Sequence, residues 1–227
     1  MKYISIAIDG PSGAGKSTIS KAVAKALGYL YVDTGAIYRT VGVFVRNHGV
    51  DPRDAAGVSE LLPQIKIEMR HMDGVQRMYL NGADVTETIR EHEISRYASD
   101  VSAIPTVRAF LLEMQRKFAA ENHVIMDGRD IGTVVLPNAT VKIFLTATPE
   151  DRARRRWLEL TGKGSDISYE KVLNDMLVRD RNDASRSIAP LKPAADAEVL
   201  DTTGYELEDS IAAIASLIQK KVSHHAV

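Results

Sequence analysis

The chain has 227 residues, 44% of them hydrophobic and none of them cysteine, so it can bury a sizeable core without a disulfide scaffold and cannot use a thiolate nucleophile. Its 29 Lys and Arg are balanced by 30 Asp and Glu, which gives no general attraction to nucleic-acid polymers or acidic membranes. Any basic function must be local, built from clustered arginines.

In chain order, Tyr3 to Ile8 is a short β-prone run broken by Asp9-Gly10-Pro11. It is too short to span a membrane and has no small-residue cleavage site, so a cytoplasmic protein is expected. Ser17 to Leu27 carries apolar residues at Ile19, Val23, Ala26 and Leu27 before Gly28, which predicts strand, glycine loop and helix. Tyr29 to Val32 is a second strand ending at Asp33, and Ala36 to Arg46 a helix with Tyr38, Val41 and Val45 on one side. Alternating strand and helix predicts a parallel sheet.

That rhythm breaks near Pro63. Ile65, Ile67 and Met69 alternate with charged residues, Asp73-Gly74 supplies a hairpin turn, Val75 to Leu80 resumes as strand, and Asn81-Gly82 turns again. A small antiparallel insert is expected, followed by helical patterning from Glu87 to Val101 and a helix beginning at Pro105. Val124 to Met126 ends at Asp127, Val141 to Leu145 is the most sheet-like run, and Glu198 to Leu200 ends at Asp201 before a helix from Glu206 to Lys221. The prediction is α/β: one domain over 1–227, a five-stranded parallel sheet flanked by helices, with an inserted region at about 63–102.

Gly10, Pro11, Ser12, Gly13, Ala14, Gly15, Lys16 and Ser17 match G-x-x-x-x-G-K-[ST]. In such a loop, backbone N–H groups at a helix N-terminus surround nucleotide phosphates, the lysine meets the β and γ phosphates, and the hydroxyl holds Mg²⁺. A chance match in a chain of this length has a probability of about one in a hundred. The lysine is expected to be solvated without ligand. No Asn-Lys dipeptide occurs to read guanine, and the six histidines have no metal-ligand spacing.

What accompanies the loop is a dispersed set of arginines, whose planar forks suit phosphate recognition. Arg39 follows the second strand, Arg108 lies in a helix, and Arg129 follows Asp127. Arg179, Asp183 and Arg186 fall within about 40° on one helix face, with Arg181 pointing away. They form either a surface ion-pair row or a cradle for a phosphate and a sugar hydroxyl. Thr148-Pro149 starts a helix leading into Arg152, Arg154, Arg155 and Arg156, and Ser168 begins the next, so about 150–168 is a candidate lid. Asp33 and Asp127 either orient metal-bound water or cap loops.

With these residues in view, the sequence resembles the bacterial cytidylate kinases. The matching stretches are Ile6 to Thr18, Asp33 to Arg39, Asp127 to Val135, Val141 to Leu145, Arg179 to Arg186 and Ala189-Pro-Leu191. The resemblance implies a P-loop kinase sheet with an enlarged monophosphate-binding region, and transfer of the γ-phosphoryl of ATP to CMP or dCMP with Mg²⁺. Gly10 to Thr18 would bind ATP. Arg39, Arg129, Arg179 and Arg186 would meet the CMP phosphate, Ser99, Arg108 and Asp130 the cytosine, and Asp183 the sugar hydroxyls. Thr34 stands where the family often has Ser and keeps the hydroxyl. Lys16, Mg²⁺ and lid arginines Arg152, Arg155 and Arg156 would spread the transferring charge. A monomer is expected. The rival readings are a kinase of a small alcohol such as shikimate, and a nucleotide-binding regulatory module that hydrolyses ATP slowly.

Overall fold

A computed structural model describes residues 3–72 and 74–225. The chain forms two compact units, one from Met1–Tyr31 with Glu121–Val227, the other from Val32–Ala120.

The first unit is built on a parallel sheet of β1 (Ser5–Asp9), β2 (Leu30–Asp33), β6 (Val124–Gly128), β7 (Val141–Thr146) and β8 (Glu198–Asp201), in the order β2-β6-β1-β7-β8. β2 is the strand along which the chain leaves this unit. Ile6 to Asp9 and Val124 to Asp127 are buried at every position, as expected where helices cover both faces of a parallel sheet. Ile6, Ile8, Ile125, Ile143 and Leu145 pack with Ile19 and Val23 of α1 (Lys16–Leu27) and with Ile214 and Ile218 of α8 (Leu207–His225). β1 lies between β6 and β7 with Asp9 opposite Gly128 and Phe144, which brings the loops after β1 and β6 to one edge. Ligands of open α/β sheets bind at this edge.

Two further helices follow β7. α6 (Pro149–Gly162) begins where expected, with Thr148 accepting from the Asp151 N–H and proline at the first position. α7 (Tyr169–Ser185) is capped by Ser168, which accepts from the Lys171 N–H. Ala153, Val172 and Met176 form a small core between them, joined by Trp157 and Tyr169.

The second unit carries α2 (Thr34–Asn47), α3 (Ala55–Leu61), β3 (Ile67–Met72), β4 (Val75–Leu80), β5 (Ala83–Asp84), α4 (His92–Val101) and α5 (Pro105–Glu121). β3, β4 and β5 form the antiparallel sheet anticipated from the alternation after Pro63. Asn81 and Gly82, with φ of 50° and 86°, make the two-residue turn from β4 to β5. Of the expected Asp73-Gly74 turn, Asp73 lies outside the described residues.

The structure differs from the sequence pattern at one place and adds to it at another. Glu87 to Val101 is not one helix: a tight 3₁₀ turn over Thr88–Arg90 precedes α4. After β6, Ile131–Val135 forms a wide turn with the Leu136 N–H bonded to the Ile131 carbonyl. Its leading donors are satisfied from β1, because the Asp9 carboxylate accepts from the Ile131 N–H at 2.8 Å and the Gly132 N–H at 2.7 Å. A cap supplied from 122 residues away leaves no mark in the local pattern.

Candidate active site

Gly10 to Thr18 connect β1 to α1 as the motif predicts, and Lys16 opens the helix. The expectation of a solvated Lys16 is corrected here: the residue is 7% exposed, and its Nζ donates to the Pro11 carbonyl at 2.7 Å. Burial lowers its pKa, and the nearby Arg129 and Arg179 guanidiniums lower it further, against the raising effect of Asp127 and Asp9. Lys16 and Arg179 both bond to the loop, at the Pro11 carbonyl and Ser12 Oγ, and Arg129 acts on Lys16 electrostatically, which concentrates positive charge here. A multiply charged anion is the ligand that relieves such crowding.

Ser17 Oγ donates to Asp127 Oδ2 at 2.7 Å, and Tyr31 Oη donates to Asp127 Oδ1 at 3.1 Å. The carboxylate at the end of β6 is therefore aligned on the hydroxyl that a P-loop uses for metal. A hydroxyl and a carboxylate 2.7 Å apart are hard oxygen donors of the type Mg²⁺ accepts, alongside waters and phosphates.

The arginine cluster assembles around Asp183, which is 4% exposed. Arg129 Nε donates to its Oδ2 at 2.9 Å, and Arg186 Nη2 lies 3.6 Å from Oδ1. Burial opposes ionisation of this carboxyl, but Arg129, Arg179 and Arg186 outweigh it and hold the pKa below the ordinary value. Arg179 Nη1 also donates to Ser12 Oγ at 3.4 Å. Arg186 reaches the cluster by a route the helical arithmetic missed. α7 ends at Ser185, and Arg186 folds back from extended backbone with its Nε donating to the Asp183 carbonyl. Arg181 is exposed, as expected.

Asp130 is buried at the start of the wide turn, with its carbonyl accepting from the Val134 and Val135 N–H groups. Among the arginines expected in a lid, Arg156 pairs with Glu159 on the surface, while Arg155 pairs with Asp151 and donates to the Thr202 carbonyl. Arg152 is already engaged within the protein. It is buried, its Nη1 donating to the Ser12 carbonyl at 2.8 Å and to Asp180 Oδ2 at 2.7 Å.

In the second unit, Asp33 is engaged on both oxygens. Oδ1 accepts from the Ala36 N–H as the cap of α2, and Oδ2 pairs with Arg39 at 2.8 Å. Of the two uses open to this residue, the structure presents the cap. Gln76 of β4 clasps the same residue, accepting from the Asp33 N–H and donating to its carbonyl. Thr34 is buried in the first turn of α2. Ser99 lies in α4, its carbonyl accepting from Ser102 Oγ. Arg108 is 8% exposed, donates to the Ser102 carbonyl at 3.0 Å and stands 5.7 Å over the Tyr38 ring. Asp9, Tyr31, Gln76 and Asp180 were absent from the sequence-derived site. Each acts through backbone or side-chain partners distant in sequence, so spacing carries no signal for it.

Comparison with known proteins places these motifs in a family. The family profile of cytidylate kinase matches residues 6–220. A cytidylate kinase of Caldicellulosiruptor bescii is 51% identical over 224 residues, covering 99% of each chain. One from Desulfitobacterium hafniense is 48% identical, covering 97% of this chain and 95% of its own. Among solved structures, an uncharacterized protein from Eubacterium ventriosum aligns with a TM-score of 0.54 at 14% identity, covering 96% of this chain and 99% of its own, which shows a shared fold.

Proposed function

The chain belongs to the cytidylate kinase family, and from that membership we propose how its residues share the reaction. It is an ATP-dependent nucleoside monophosphate kinase that moves the γ-phosphoryl of ATP to the 5′-phosphate of CMP or dCMP, giving ADP and CDP or dCDP. The acceptor phosphate is already ionised, so catalysis rests on positioning and charge stabilisation rather than on a strong base.

The observation that supports the residue assignment is geometric: Lys16 and Arg179 both bond to the P-loop, at Pro11 and Ser12, while Arg129 and Arg186 gather on Asp183. In this reading Gly10 to Thr18 hold the ATP phosphates and Lys16 follows the transferring group. Arg129, Arg179 and Arg186 bind acceptor phosphate, and Asp183 orients those arginines while accepting from the sugar hydroxyls. Arg39, Thr34, Ser99, Arg108 and Asp130 serve the acceptor, with Arg108 and Asp130 reading the base. Bound Mg²⁺ would supply charge neutralisation for the transferring phosphate. Ser17 would hold it, with Asp127 behind that hydroxyl; Asp33 is better used as a helix cap.

Mass analysis of products from ATP and CMP tests the reading: CDP and ADP should appear in equal amounts, and ADP should not accumulate when CMP is omitted. Acceptor-independent ADP release would favour the regulatory-module alternative. Among the described residues, no helix is long and apolar enough to cross a membrane. We propose a cytoplasmic monomer with these small-molecule partners and no nucleic-acid polymer or membrane partner.

A further inference from the structure

A buried ion pair between α6 and α7 sits directly on the backbone of the P-loop. Arg152 Nε donates to the Ala147 carbonyl at 2.9 Å, while its Nη1 donates to both the Ser12 carbonyl and Asp180 Oδ2. The other carboxylate oxygen, Asp180 Oδ1, accepts from the Ser12 N–H at 3.4 Å. One ion pair therefore grips Ser12 by its donor and its acceptor at once. Arg152 is 4% exposed along its side chain and Asp180 19%, so the pair is little screened by water.

The consequence lies in the next peptide. The carbonyl and N–H of a trans peptide point in opposite directions, so a Ser12 carbonyl turned onto Arg152 sends the Gly13 N–H away from α6. The helices also press on this peptide. Gly13 has a φ of +74°, and a Cβ there would lie 2.8 Å from Met176 Cε and 3.1 Å from the Arg152 carbonyl oxygen. The Ser12 carbonyl and the space a Gly13 Cβ would need are thus both taken up on the helix side, which leaves the N–H to point away from the helices.

We infer that Asp180 and Arg152 are positioning residues that fix the Ser12–Gly13 peptide, so that the P-loop presents the Gly13 N–H to the ATP phosphates before nucleotide arrives. Preorganisation of this kind lowers the ordering cost of binding, and its loss falls on the nucleotide held by the loop. The inference deepens the reading of Gly10 to Thr18 as the ATP-binding loop and rests on it. It also gives Arg152 a task other than spreading the transferring charge, since its guanidinium is already engaged on three oxygens.

Asp180→Asn keeps the shape of the side chain and removes its charge. KM for ATP should rise on the order of 10- to 100-fold, the effect of losing a charge-assisted hydrogen bond, while KM for CMP stays within about twofold. Arg152→Lys should show the same split, and the double variant should be less impaired than the product of the two single effects. An unchanged KM for ATP, or an equal rise in both constants, would overturn the inference. Lys16→Ala run alongside separates the two levels. If it loses turnover while Asp180→Asn keeps its ATP affinity, only the positioning role falls; if it is as active as wild type, the ATP-loop reading falls and takes the inference with it. Should Asp180→Asn not fold, hydrogen exchange on the nucleotide-free wild type decides: the Ser12 amide should be protected, and exchange at the rate of an open loop would contradict the grip.

Discussion

Arg129 Nε donates to Asp183 Oδ2 across 2.9 Å, so an ion pair joins the turn after β6 to the last turn of α7. The carboxylate is nearly buried and has Arg179 and Arg186 as further neighbours, so its removal takes away a counter-charge on which three guanidiniums act and leaves Arg129 without this ion pair. Asp183→Asn should cost about 3 kcal/mol of stability at neutral pH. Because the folded-state pKa lies below the ordinary carboxylate value, this contribution is complete above that value and is lost as pH falls through the folded pKa. Denaturant titrations of wild type and variant should therefore converge on acidification.

Lys16→Met should lower turnover by on the order of 10² to 10⁴, since the ammonium faces the charge that develops in the transition state. Stability should not fall with it, because burial and neighbouring arginines disfavour the charged form in the folded protein. A lysine with a lowered folded pKa destabilises at low pH, and stability recovers as pH rises from that pKa toward the ordinary 10.5. Lys16→Met should abolish this slope. A marked loss of melting temperature at pH 7 would show that the buried ammonium is structural.

Three features that sequence reasoning missed have one cause. β1, β6 and β7 were legible because each is a short apolar run in a strand–helix rhythm, and the insert because its alternation has period two. The P-loop was legible because phosphate binding between a strand and a helix demands those residue types in that order. Burial of Lys16, the grip of Asp180 on Ser12 and the capping of the 131–135 turn by Asp9 depend on partners that the fold supplies from elsewhere. Arg186 was found for a partly mistaken reason, since the helix that would align it ends one residue earlier.

Asp9 is displaced to a pKa of about 6 by burial, against the pull of the Gly132 and Ile131 N–H donors, with the Asp130 carboxylate adding to the rise and Lys16 opposing it. A raised acid pKa means that the folded state holds the proton longer than the unfolded chain. Stability from this group should therefore fall between the ordinary 3.8 and about 6, by roughly 3 kcal/mol in all, and stay level above. Carbon NMR of the Asp9 carboxyl should give a midpoint near 6. A midpoint near 4 would mean that water reaches it.

Arg179→Ala and Arg186→Ala should each raise KM for CMP more than KM for ATP, and Arg181→Ala, an exposed position, should do much less. Steady-state kinetics with each substrate varied in turn measures this. Equal effects of all three on CMP would remove the cluster around Asp183 from acceptor binding.

Base choice should reside in Asp130 and Arg108. Cytosine offers an amino donor at position 4 and acceptors at N3 and O2, whereas uracil reverses the donor and acceptor at position 4 and N3. A buried polar group left unpaired costs about 1 to 3 kcal/mol, so Asp130→Ala should lower kcat/KM for CMP far more than for UMP. An unchanged ratio would take Asp130 out of base recognition, whatever happened to the absolute rates.

This chain phosphorylates cytidine monophosphates, and kcat/KM for ADP production from ATP and Mg²⁺, with CMP, dCMP, UMP, AMP and shikimate as separate acceptors, tests this most directly. CMP and dCMP should be the best acceptors, with UMP well below them and AMP and shikimate near the acceptor-free background. A preference for shikimate or AMP, or the same ADP release with every acceptor and with none, would contradict it.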